Sequence, residues 1–188
     1  MQKTILFIAL AVIIAFSPAC KNSTKEKNIE DDIRKAVKNN PGINAGSNTF
    51  SIEAPAGWTI KDTSLMGMKY TFLSSELENN SDNFKENVNI VTERCGSMGL
   101  DDYYSASLTG LKTMPGFERG KESDRSINNI EFKNLKYSHS YGGMPIDVDV
   151  YFTIRDGLAY IITCSAKKGE MDKWETQFRE AVSSFSFK

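Results

Sequence analysis

An α+β layered domain is what this sequence predicts, and three observations carry the prediction. Asn128-Asn129, Gly142-Gly143 and Asp156-Gly157 are two-residue turn signals set between apolar–polar runs, so the second half reads as antiparallel hairpins. Two other segments switch to helical spacing, each with one apolar stripe. Helices that bury one stripe and a mostly antiparallel sheet settle into layers around one core. The 188 residues amount to a single domain's worth of chain, without an internal repeat.

The elements follow in order. Residues 29–38 fit a short amphipathic helix with Ile33, Ala36 and Val37 on one side, closed by Asn39-Asn40-Pro41-Gly42. The domain proper starts near Thr49, where Phe50, Ile52 and Ala54 alternate with polar residues as a half-buried strand does. Pro55-Ala56-Gly57 turns the chain into Trp58-Thr59-Ile60. Met66, Met68, Tyr70 and Phe72 alternate again, and residues 74–85 form a polar loop around Glu78-Asn79-Asn80-Ser81-Asp82. Residues 88–95 make the next strand. Asp101 or Asp102 can then cap a helix in which Tyr104, Leu108 and Leu111 fall at spacings of four and three. Gly110 weakens that helix and Pro115-Gly116 stops it. Strands at 131–141, 146–155 and 158–166 lie between the turn signals. The last helix, at about 170–183, gathers Met171, Trp174, Phe178 and Val182 on one stripe, leaving Lys173, Glu175, Arg179 and Glu180 wet.

The first twenty residues carry an address. Lys3 is a short positive region, residues 5–16 are an unbroken apolar run, and Ser17-Pro18-Ala19-Cys20 closes it. Crossing a bilayer takes about 20 apolar residues, so this is a secretory signal and not a span. The ending resembles the bacterial lipoprotein box, with Pro18 as its departure. That resemblance implies cleavage after residues 1–19 and lipidation of Cys20, with palmitate-type acyl chains as the membrane anchor. Residues 20–48 then form a tether carrying the short helix, and 49–188 the folded domain. The segment after Cys20 is polar and charged, as a leash is. Lys21 in place of Asp at the second mature position points to the outer membrane over the inner one, facing the periplasm or the surface.

Composition excludes several functions. The formal net charge of −1 offers no field for acidic partners, and no basic stripe turns the aromatics into a nucleic-acid platform. With Cys20 lipidated, Cys95 and Cys164 remain as a candidate disulfide in an oxidising compartment, or as two separate buried thiols. The only histidine is His139. With Gly142-Gly143 as a two-residue loop, His139 faces Ile146, Tyr137 faces Val148, Ser138 faces Asp147 and Lys136 faces Asp149. Opposite residues share a face, so the histidine is separated from the nearest carboxylates and reads as a strand residue. Asp147 and Asp149 read as a solvated strand face, since a hard cation wants six or more oxygens. Met66, Met68, Met98, Met114, Met144 and Met171 include a same-side pair able to hold Cu(I), but gap-filling in the core explains them better. No phosphate loop, metal-spaced cysteine set or nucleophile elbow occurs. No catalytic residue, metal or cofactor is expected.

Phe50-Ser51-Ile52-Glu53-Ala54-Pro55-Ala56-Gly57-Trp58 is similar to the opening of PsbP-like domains, where a strand enters a Pro-x-Gly-Trp corner. The helix running into Pro115-Gly116-Phe117 is similar too. So is the apolar strand Ala159-Tyr160-Ile161-Ile162, followed by a helix closed by Ser183-Ser184-Phe185. The resemblance covers residues 49–188 and implies an α/β/α sandwich around a twisted antiparallel sheet. Its members are mostly binding or assembly modules, so it implies a non-enzymatic envelope domain that binds a protein partner. A small-ligand or metal-ion carrier is the alternative.

Overall fold

The computed structural model describes residues 49–65 and 68–188. Seven strands form one antiparallel sheet in the order β2 (Thr59–Leu65), β3 (Met68–Ser74), β4 (Asn87–Arg94), β8 (Leu158–Lys167), β7 (Met144–Arg155), β6 (Ile130–Tyr141), β5 (Glu118–Ile127). Helix α1 (Leu100–Leu111) covers one face of the sheet. A 3-10 turn (Met171–Trp174) and helix α2 (Glu175–Ser184) cover the other. The result is the α/β/α sandwich that the resemblance implies. A separate two-stranded ribbon, β1 (Phe50–Ser51) against β9 (Ser186–Phe187), joins the start of the domain to its end.

Turn chemistry builds the hairpins. Asn128, Asn129 and Asp156 have φ between 52° and 60°, and Gly142, Gly143 and Gly157 are also positive, the conformation a two-residue hairpin loop needs. The pairs Ile127↔Ile130, Tyr141↔Met144 and Arg155↔Leu158 close all three turns as the sequence predicts. Asn128 does more than turn: its amide donates to the carbonyls of Ser183 and Phe185, at 2.7 and 3.0 Å, pinning the hairpin to the end of α2.

Period-two patterning then fills two cores. On the α1 face, Tyr103, Leu108 and Leu111 meet Leu135, Tyr137, Ile146, Val148, Val150 and Phe152. On the α2 face, Phe178, Ala181, Val182 and Phe185 meet Leu73, Val88, Ile90, Phe132, Tyr160 and Ile162. The Pro-x-Gly-Trp corner has a mechanical role. The Trp58 amide hydrogen-bonds back to the Pro55 carbonyl at 3.0 Å, and its ring packs edge-on against Trp174 and Phe178, each 5.9 Å away.

One expected cap is corrected. Gly99 occupies the N-cap of α1, and neither Asp101 nor Asp102 caps it; both sit in the first turn, where a negative charge suits the helix dipole. Asp101 also pairs with Lys133 at 2.9 Å.

The outermost strand β5 is charged and exposed, which discourages another chain from pairing with this edge. Its register slips between Arg119 and Glu122. A Cβ on Gly120 would lie 2.5 Å from the Lys136 carbonyl oxygen, a backbone atom that cannot swing away. Gly120→Ala therefore lowers stability by about 1–3 kcal/mol. Urea unfolding checks this, and a loss confined to a few tenths would mean that β5 shifts freely.

Candidate binding face

Strand β4 begins Asn87-Val88-Asn89-Ile90, so alternation sends Val88 and Ile90 to the α2 core and both asparagines to the α1 face. Strand β8 does the same with Thr163 and Ser165 against Ile162 and Cys164. Pairing lines these residues up in rows. His139, Ile146 and Lys167 form the first. Tyr137, Val148, Ser165, Asn87 and Ser74 form the second; Leu135, Val150, Thr163, Asn89 and Phe72 form the third. A polar strip thus crosses an otherwise apolar face.

The strip is buried: relative exposure is 0% for Ser165, 1% for Asn89, 3% for His139 and 7% for Asn87. Four of its polar atoms have no hydrogen-bond partner among the described residues, namely Ser165 Oγ, Asn89 Nδ2, Asn87 Oδ1 and His139 Nε2, a condition shared elsewhere by Tyr104 Oη, Glu170 Oε2, Trp174 Nε1 and Gln177 Oε1. A buried polar group left unpaired costs about 1–3 kcal/mol, so this strip is expensive unless something outside the chain satisfies it.

Over one end of the strip runs the β3–β4 loop, residues 75–86. Phe84 plugs it into the α1-face core, and Lys167 Nζ donates to Asp82 Oδ1 at 2.5 Å. Burial works against the Asp82 charge, but the hydrogen bonds from Lys167 and from the Glu78 and Phe84 amides outweigh it and hold the pKa below its ordinary value. Lys173 pairs with Glu78 further along the loop. Glu86, at the loop's end, is 1% exposed, and burial pushes its carboxyl pKa up.

His139 lies where the hairpin register predicts, opposite Ile146, with Asp147 and Asp149 on the other face. Its ring stacks on Tyr137 at 5.7 Å. Burial lowers its pKa, which keeps it neutral, and Nδ1 lies 3.2 Å from the Ser140 carbonyl oxygen. A carbonyl only accepts, so Nδ1 carries the proton and Nε2 presents a lone pair. Asp149 takes hydrogen bonds from Asn134 and from Tyr151 at 3.1 Å, with Lys136 at 3.8 Å across the strands. Asp147 accepts from the Gly169 amide at 2.7 Å. Both aspartates hold structure together. Among the described residues, no group of three or more His, Cys, Asp or Glu side chains is placed to hold a metal ion.

A second acid, half-buried, sits at the far end of the same face. The Tyr103 hydroxyl of α1 donates to Glu93 Oε1 at 2.5 Å. Burial drives the Glu93 pKa up, and this hydrogen bond only partly offsets it.

The candidate disulfide is corrected. Cys95 and Cys164 are both free and buried. The Cys95 amide bonds to Gly157, just before β8, whereas Cys164 lies opposite Val88 seven residues along. At about 3.3 Å per residue they stand roughly 20 Å apart, beyond any bridge. Met98, Met114 and Met144 pack around the α1-face core and Met171 around the other, as gap-fillers do. Cys20, the signal, the tether and Met66 lie outside the described residues, as does the side chain of Met68. No described helix is long and apolar enough to cross a membrane.

The polar strip is the feature that sequence reasoning missed. Its signal was present in the Asn-x-Asn and Thr-x-Ser alternations, but joining them requires knowing that β4 pairs with β8.

No family model matches this chain, and no curated protein matches it. Solved structures do. PA94 of Pseudomonas aeruginosa, a protein of unknown function, is 16% identical over 73% of this chain and 96% of its own, with a TM-score of 0.56. LpqN, involved in cell envelope biogenesis of Mycobacterium tuberculosis, is 15% identical over 76% of this chain and 84% of its own, at 0.60. The solution structure of cyanobacterial PsbP from Synechocystis is 13% identical over 77% and 95%, at 0.43. The first two share the fold with this chain, at identities that speak to the fold alone.

Proposed function

We propose that this chain is a non-enzymatic binding domain of the cell envelope, lipid-anchored through Cys20, that engages a protein partner in assembling an envelope complex. The observation that carries the reading is the leader, an apolar run too short to span that ends in Ser17-Pro18-Ala19-Cys20 ahead of a polar leash. Two acyl chains or more hold a protein stably where one is marginal. Likeness of fold to LpqN, a protein involved in cell envelope biogenesis, is in keeping with this location, and Lys21 favours the outer membrane. The site chemistry supports binding over catalysis. The one histidine is buried, neutral and without a carboxylate beside it, which withholds the usual acid–base pair.

Intact and base-hydrolysed mass spectra of the bacterially expressed protein test the anchor. The expected result is a diacyl or triacyl mass on Cys20 that Cys20→Ala abolishes, moving the protein from the membrane to the soluble fraction. Crosslinked envelopes should then return the same partner repeatedly. An unmodified mature mass would sink the anchor, and repeated failure to recover a partner would sink the assembly role. A second reading, carriage of a small ligand, is favoured by one specific observation: the four unpartnered atoms of the polar strip.

A further inference from the structure

We infer that residues 75–86, the loop joining β3 to β4, form a pH-gated strap, latched to β8 by Lys167 through Asp82 and released when the buried Glu86 carboxyl ionises. This goes beyond the binding reading and does not rest on the anchor.

The latch is one side chain with three donors. Asp82 accepts at Oδ1 from Lys167 Nζ at 2.5 Å and from the Phe84 amide at 3.2 Å, and at Oδ2 from the Glu78 amide at 2.9 Å. A single carboxylate thus folds the strap and ties it to the end of β8, and its side chain is only 3% exposed. Phe84, two residues on, is buried in the α1-face core. The strap's other ion pairs, Glu78 with Lys173 and Glu76 with Lys85, lie partly in water, where solvent and salt screen them.

Release follows from a count of charges. Glu86 is buried at the strap's end, its Oε2 lies 3.4 Å from Ser75 Oγ, and it joins no ion pair among the described residues. The charged groups that face it are Asp82 in the strap, Glu170 just before the 3-10 turn, Lys167 on β8 and Lys173 in the turn. Lys167 is held by Asp82, and Lys173 by Glu78. As a neutral acid, Glu86 fits this surround. As a carboxylate it stands against two other acids and competes with Asp82 for the latch cation. A buried charge without a partner is driven towards water. Glu86 leads into β4 and its carbonyl holds the Ser75 amide at 2.9 Å, so its escape loosens both ends of the strap and draws Phe84 from the core.

The two carboxyls set the direction. Burial, joined by Asp82 and Glu170, raises the Glu86 pKa above its ordinary 4.5. Burial opposes the Asp82 charge, but its hydrogen bonds prevail and hold its pKa below the ordinary 3.8. Glu86 therefore leaves the closed strap unpenalised below 4.5 and weakens it as pH rises through the closed-state pKa. The Asp82 latch is fully present above 3.8 and lost as pH falls through its lowered pKa. The strap is tightest between those two values and loosens towards neutrality.

Hydrogen exchange of the full chain in detergent tests this from pH 4.5 to pH 8, corrected for the intrinsic rate at each pH. The reporters are the Ser75, Glu78 and Phe84 amides, with Ile162, on a strand paired on both sides, as the reference. Protection of the strap relative to Ile162 should fall about fivefold or more across that range, since each unit of pKa shift is tenfold in the closed-to-open ratio. Glu86→Gln keeps the shape and cannot ionise, so its strap should stay protected at pH 8. Lys167→Met should leave the strap poorly protected at every pH while Ile162 is unchanged. Four results overturn the proposal: strap protection independent of pH in the parent; an equal fall in Glu86→Gln; parent-like protection in Lys167→Met; or strap amides that track Ile162 throughout, which would make the loop part of the cooperative core.

Discussion

Phe185→Ala removes about 3–5 kcal/mol of stability, read as a lower urea midpoint at unchanged slope. The side chain is fully buried and stands where the structure ties its ends together. Its ring lies 5.6 Å from Phe50, 5.9 Å from Phe132, 6.2 Å from Tyr160 and 5.3 Å from Phe187. These partners come from β1, β6, β8 and β9, so one truncation opens a cavity against four elements. The neighbours cannot all collapse into it, because Phe50 and Phe187 are fixed to each other by the ribbon. The Asn128 amide also bonds to the Phe185 carbonyl, so losing the ring loosens the hairpin turn. Phe185→Leu keeps most of the volume and costs less than half as much. If Phe185→Ala lost under about 1 kcal/mol, the ribbon would be an appendage and not part of the cooperative fold.

What the sequence made legible was the local chemistry. The three tight turns announce themselves through residues that tolerate positive φ, and those turns fix the register of β6, β7 and β8, and of β5 as far as its slip before Glu122. That register alone separates His139 from Asp147 and Asp149. The stripe Met171, Trp174, Phe178 and Val182 likewise found the α2-face core. Two strands gave no such signal. β5 is almost wholly exposed, so no alternation marks it, and β2 carries a solvent-exposed Ile60 at the opposite edge. The cap of α1 misled because aspartates near a helix start serve the dipole as well as the cap, and here Gly99 took the cap. Strand order was the larger gap. The Cys95–Cys164 question and the polar strip both turn on β4 lying beside β8, a contact between distant parts of the chain that no local pattern encodes.

Tyr103→Phe costs about 1.5–3 kcal/mol at neutral pH, with a loss that shrinks in acid. The hydroxyl donates to a carboxylate that burial has already made uncomfortable. The sign follows from linkage. A carboxyl whose folded pKa lies above its unfolded value binds its proton more tightly in the folded state. Folding is therefore unpenalised below the ordinary value of 4.5 and progressively penalised as pH rises through the folded pKa. Removing the Tyr103 donor takes away what lowers that pKa, so it moves further up and the penalty at pH 7 grows. Well below 4.5 the acid is neutral in both states, and only an ordinary hydrogen bond of about 0.5–1.5 kcal/mol remains to be lost. Glu93→Gln works the other way: it removes the buried charge, keeps an acceptor for Tyr103, and raises stability at neutral pH. Glu86 and Asp149 are also raised by burial, so the total pH profile mixes several acids. The difference between Tyr103→Phe and the parent isolates this pair when it is followed from pH 4 to pH 8, once with Glu93 intact and once in the Glu93→Gln background. A pH-dependent difference that vanishes in the Glu93→Gln background assigns it to the pair. A pH-independent difference equal in both backgrounds would reduce the Tyr103 contribution to an ordinary hydrogen bond that does not depend on the Glu93 charge.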